Sequence, residues 1–82
     1  MEQIGERIVK LRKMNNLTQE KLANKLFISN KAVSKWESNK GCPSNEMILR
    51  LSEVFNCSTD YLLLGENLQN INIEFDKKYS NE

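Results

Sequence analysis

Eighty-two residues with a net charge of +1 make one small domain, near the lower limit at which a single hydrophobic core holds a fold without disulfides or metals. A sequence pI of about 7.7 gives no reason, on overall balance, to suspect a nucleic-acid or membrane partner. Cys42 and Cys57, with no histidine anywhere, supply neither four zinc ligands nor a Cys-x-x-Cys pair, so both read as free thiols of a reducing compartment.

The charge is unevenly placed. Residues 1–45 carry nine Lys/Arg against four Glu, while residues 46–82 carry three bases against seven acids. That asymmetry predicts an electropositive working surface in the first part and a region that avoids polyanions in the second. The opening MEQIGER has no apolar run, and the longest aliphatic or aromatic run is YLLL at residues 61–64. Neither a signal peptide nor a spanning helix is expected, and the expected location is the cytoplasm.

The elements follow in order. In IGERIVKLRKM, Ile4, Ile8 and Leu11 recur at helical spacing with Arg7, Lys10 and Lys13 turned elsewhere, which predicts a first helix over about 1–14. Thr18 is an N-cap for a second helix over 19–26, burying Leu22, Ala23 and Leu26; Lys21 stands where a Glu would complete a capping box. Ser29 caps a third helix starting at Asn30, and SNKGCP stops it near Ser38. Ser44 caps a fourth with Ile48, Leu51 and Phe55 inward, ended by Asn56 in a left-handed conformation. Ser58 opens a fifth over 59–64, closed by Gly65. The fold class expected is therefore all-α, a five-helix domain over 1–65. The tail over 66–82 alternates Ile71, Ile73 and Phe75 with polar residues and reads either as a strand or stalk docked on a partner or as a disordered end.

The third helix has two faces. With Val33 inward, Trp36 and Glu37 fall on the same side at about 100° per residue, while Lys31, Lys35 and Ser38 point away and Ser34 lies at the side. The outward face, with the Asn30 amide, suits phosphates and the acceptor edges of bases. From composition alone, a merely solvated helix face is the favoured reading.

Beyond periodicity, the segments IGERIVKLRKMNNLTQEKLANKL, ISNKAVSKWE, the following Pro43, and LSEVFNCSTDYLL together resemble the Cro and phage-repressor class of helix-turn-helix regulators, the Xre-like family, from Ile4 to Gly65. The resemblance implies a phage-repressor-like helix-turn-helix domain whose partner is double-stranded DNA. It implies that Gln19 bonds the sugar-phosphate backbone and buttresses the recognition helix, and that Asn30, Lys31 and Lys35, with Ser34, reach base edges or backbone from the major groove. It further implies that Ser38, Asn39 and Lys40 clamp backbone, that Ser29 at the head of the helix belongs to the same interface, and that Arg12 pairs with an inward Glu37. Trp36 reads as core cover rather than a base-stacking platform.

Two positions depart from the family pattern. Phe27 stands where a left-handed-tolerant residue is usual, which predicts a distorted turn or another geometry, and Asn45 stands where an apolar residue is commoner, which predicts a looser start to helix four. Cys57 takes the place of a small aliphatic as a buried thiol. Met47, Val54 and Leu64 exceed what one core stripe needs and are read as a patch for a homodimer binding two half-sites.

These readings point to a sequence-specific transcriptional regulator, a repressor of its own or a neighbouring operon. The alternative is a protein-interaction module of the same fold, such as the antitoxin of a toxin–antitoxin pair. No catalytic set, cofactor site, metal site or small-molecule substrate is expected.

Overall fold

A computed structural model describes residues 3–65, which form five helices and, among the described residues, no strand: α1 Ile4–Met14, α2 Gln19–Leu26, α3 Asn30–Glu37, α4 Asn45–Phe55 and α5 Thr59–Leu64. The expected stalk or strand around Ile71, Ile73 and Phe75 lies outside the described residues.

Four of the five helix starts are local events. Thr18, Ser29, Ser44 and Ser58 each lie in extended backbone, and each hydroxyl accepts from the amide three residues on, at 3.0–3.3 Å: Lys21, Ala32, Met47 and Tyr61. One otherwise unpaired donor is satisfied at each start. Lys21 does not abolish the cap on α2; it removes only the return bond that a Glu there would make.

The first helix starts differently from expectation. Gln3 is extended, at φ −94° and ψ 164°, so α1 begins at Ile4 rather than near Met1, and Gln3 makes no capping bond with its side chain. The cap comes from far along the chain: the Gly5 amide donates to Asn39 Oδ1 at 3.1 Å.

Four of the five helix ends share one solution. Asn16, Phe27, Asn39 and Asn56 all have φ between 53° and 61°, and at each the next residue's amide reaches back five positions: Leu17 to Arg12, Ile28 to Ala23, Lys40 to Lys35, Cys57 to Ser52. This is the Schellman arrangement, whose left-handed residue is cheap for Asn and Gly and costs other side chains on the order of 1–2 kcal/mol. Phe27 therefore does not distort the turn or change its geometry. It takes the left-handed conformation at φ 59° and ψ 42°, with its ring 88% exposed.

The core is formed by Ile8 and Leu11 of α1, Leu22, Ala23 and Leu26 of α2, Val33 and Trp36 of α3, Ile48, Leu51 and Phe55 of α4, and Leu62 of α5. Ala23 is buried where the small side chain lets α2 and α3 approach closely. Asn45 is exposed as the first residue of α4 and does not loosen it, because Ser44 supplies the cap. Of the three side chains read as surplus, Met47 and Val54 pack half-buried against the chain's own core, and only Leu64 is exposed. Leu49 on α4 and Leu63 on α5 are likewise exposed.

Arg7 is the largest correction on α1. Expected to turn away from the apolar stripe, it is 4% exposed. Its Nε donates to the Leu62 carbonyl and its Nη2 to the Leu63 carbonyl, both at 2.7 Å. A cation on the last carbonyls of α5 satisfies groups that a helix end leaves open.

Candidate nucleic-acid interface

The third helix is held from one side only. Val33 is fully buried and Trp36 is 7% exposed, whereas Asn30, Lys31, Ser34 and Lys35 are all exposed. Trp36 is thus core cover, and its ring is not presented to a ligand.

Glu37 turns inward as the resemblance implied. Its carboxylate meets Arg12 in a two-pronged pair, Nε to Oε2 at 2.6 Å and Nη2 to Oε1 at 3.2 Å, with the side chains 13% and 7% exposed. Gln19 Nε2 donates to the same Oε1 at 2.8 Å, and Arg12 Nη1 donates to the Leu17 carbonyl at 2.9 Å. Three donors on one carboxylate and a backbone acceptor on the guanidinium satisfy a charge pair that would otherwise be costly to bury. The network ties the end of α3 to the end of α1 and the start of α2. It also withdraws a negative charge from the face that carries the lysines.

Around this frame the nine candidate contact residues take distinct positions. Gln19 uses one N–H of its amide on Glu37 and keeps the other, so it buttresses α3 and can still donate elsewhere. Ser29 spends its oxygen on the Ala32 amide, which leaves its hydroxyl proton for an outside acceptor. Asn30, Lys31, Ser34 and Lys35 stand free in solvent along the outward side of α3. Ser38 is exposed, and its hydroxyl folds back on its own helix, sharing its proton between the Ser34 and Lys35 carbonyls at 3.0 and 3.2 Å, so in this rotamer it finishes the helix instead of presenting a donor. Asn39 gives its Oδ1 to Gly5 and retains its side-chain N–H groups, and Lys40 is exposed beside it.

The residues that sequence reasoning missed are the ones that fix this loop. Gly5 is buried, and a Cβ there would run into the Trp36 carbonyl oxygen and come within 2.5 Å of Asn39 Oδ1. Only a residue without a side chain lets the start of α1 touch the end of α3. The pairing joins positions 34 apart, so no local pattern announces it. Arg7 did leave a signal, since it falls at i+3 from Ile4 and i−4 from Leu11, on the apolar stripe itself.

The thiols offer no competing chemistry at this face. Both are free; Cys42 is exposed, and burial pushes the Cys57 thiol above its ordinary value, away from the reactive thiolate. Among the described residues no cluster of His, Cys, Asp and Glu could hold a metal ion, and no helix is long and apolar enough to cross a membrane.

Residues 8–62 match the helix-turn-helix family. The chain is 46% identical over 66 residues to the HTH-type transcriptional activator BcrR of Enterococcus faecalis, covering 80% of this chain and 32% of that protein. It is 37% identical over 76 residues to repressor protein C2 of Salmonella phage P22, covering 93% of this chain and 35% of that one. The chain thus spans about a third of the length of each of these two relatives. Among solved structures it superposes on the P22 c2 repressor in complex with a synthetic operator, with a TM-score of 0.77 and 39% identity, covering 80% of this chain and 100% of that one. With five helices in this order and an α2–turn–α3 unit bound to its core by Val33, Trp36 and Glu37, the chain belongs to the helix-turn-helix family, of the Xre- and Cro-like kind.

Proposed function

We propose that this chain is a sequence-specific reader of double-stranded DNA that regulates transcription, inserting the outward face of α3 into the major groove. The observation that carries the proposal is the division of α3: Val33, Trp36 and Glu37 held inward, Asn30, Lys31, Ser34 and Lys35 free outward. Lysine donors suit guanine O6 and N7, and the Asn30 amide suits adenine N6 and N7. Gln19, Ser29, Asn39 and Lys40 surround that face and supply phosphate donors that set register. Ser38 joins them only if its hydroxyl rotates away from α3.

Repression is the proposed mode, because a domain bound over a promoter blocks it without needing any further contact. A homodimer on two half-sites one helical turn apart supplies the affinity that one α3 lacks, with Leu49, Leu63 and Leu64 as the exposed apolar residues available to join copies. The regulator reading puts the chain in the cytoplasm with DNA and gives it no catalytic role. No observation favours the antitoxin reading.

Selection from a random duplex pool tests the reading. It should recover an inverted repeat, bound with an affinity that falls steeply as salt rises because phosphate contacts release counterions. Recovery of no preferred sequence, with no binding at low salt, would refute it.

A further inference from the structure

We propose that the surface joining the end of α2 to the outer side of α4 is a separate docking site, and that its occupant is a second copy of this chain. Phe27 is the starting point. It lies in a left-handed conformation with its ring 88% exposed, while the corresponding positions at the ends of α1, α3 and α4 are held by asparagines. The ring is outside the core, so folding gains nothing from an aromatic there. An unfavourable backbone conformation retained for an exposed aromatic points to contact with another molecule.

Beside Phe27 opens a shallow hollow of about 430 Å³, lined by Lys25, Leu26, Phe27, Arg50, Glu53 and Val54. The charges around it select the occupant. Arg50 closes on Glu46 at 2.9 Å and donates to the Leu26 carbonyl at 3.3 Å. Lys25 and Glu53 remain, one of each sign, with no ion pair recorded for either among the described residues. A polyanion would meet Glu46 and Glu53, and a strongly charged protein would find no net field to match. A copy related by a two-fold axis brings the same two charges in reverse order, so that Lys25 of each copy faces Glu53 of the other while each Phe27 ring seats in the other's hollow against the half-buried Val54.

None of the six lining residues is among the nine proposed DNA contacts, so docking and DNA reading do not compete for a side chain. The patch is small beside the roughly 20–30 residues a side of a stable interface, so the contact is weak between free copies. On one duplex, where neighbouring copies see each other at about millimolar effective concentration, it becomes significant; that clause rests on the proposed DNA reading.

The test uses the full chain without DNA, so failure of the DNA reading leaves it interpretable. Sedimentation over a concentration series up to about 1 mM compares wild type with Phe27→Asn, Lys25→Glu, Glu53→Lys and the double reversal. Phe27→Asn should weaken self-association at least about tenfold, the loss typical of truncating a central aromatic anchor, while melting no lower than wild type. Each single reversal should weaken it as well, and the double reversal should restore it. Wild type that stays monomeric, Phe27→Asn that associates unchanged, a double reversal no better than either single one, or ring contacts from Phe27 to residues 66–82 of the same molecule would each overturn the proposal.

Discussion

Arg12 and Glu37, 25 positions apart, close on each other through two hydrogen bonds of 2.6 and 3.2 Å, and this pair, with Val33 and Trp36 in the core, holds one side of α3 inward. Removing one partner leaves a nearly buried charge without its counterpart, which costs about 3–5 kcal/mol. Arg12→Ala should therefore lose a large part of the stability of so small a domain, seen as a sharply lower melting temperature. Replacing both residues by apolar ones, as in Arg12→Met with Glu37→Leu, should recover much of the loss. An unchanged melting curve for Arg12→Ala would show that the pair contributes nothing to the hold on α3.

Lys31→Ala and Lys35→Ala should each weaken binding to the selected duplex by about 1–3 kcal/mol and relax preference at one base position. Competition titrations with single-base variants of the duplex measure this. A loss equal across all variants, with a salt slope smaller by about one, would reassign that lysine to phosphate.

Phe27→Asn should stabilise the fold, because asparagine takes the left-handed conformation more readily and the lost ring makes almost no core contact. A gain of about 1 kcal/mol corresponds to about 4–8 °C in a domain of this size. Calorimetry that finds a lower melting temperature would mean that the ring packs against the fold more than its exposure indicates.

Gly5→Ala should be destabilising although alanine is the better helix former. Its methyl group would collide with the Trp36 carbonyl and Asn39 Oδ1, and forcing a group into such a contact costs about 1–3 kcal/mol. The amide bond from Gly5 to Asn39 should break with it, seen as faster hydrogen exchange at residue 5. Exchange and melting like those of wild type would show that α1 shifts at no cost.

Local chemistry made most of the fold legible. A hydroxyl before an apolar helical stripe fixed the starts of α2 to α5, and Asn56 marked the end of α4, because those signals involve neighbours three to five positions away. Where partners are far apart in the chain the pattern was silent. The start of α1 depends on Asn39 and could not be read from its own segment; Gly65 did mark the end of α5, but the Arg7 guanidinium that satisfies its last carbonyls left no trace there. At the site, the two-sidedness of α3 was legible from spacing, and the pairing of Arg12 with Glu37 came only with the family resemblance. The fold-back of the Ser38 hydroxyl onto its own helix was visible in neither, since an end-of-helix serine can donate to the preceding turn or to an outside acceptor. Asn16 and Asn39 were missed as left-handed ends, although their residue type was the same as that of Asn56.

Amide and side-chain chemical shifts of the chain, recorded as the selected duplex is added, test the central claim most directly. The account predicts that the largest changes fall on Asn30, Lys31, Ser34 and Lys35, with smaller ones at Gln19, Asn39 and Lys40 and little at Val33. Changes centred on the outer side of α4 or on α5, with the lysine-bearing side of α3 unmoved, would contradict it.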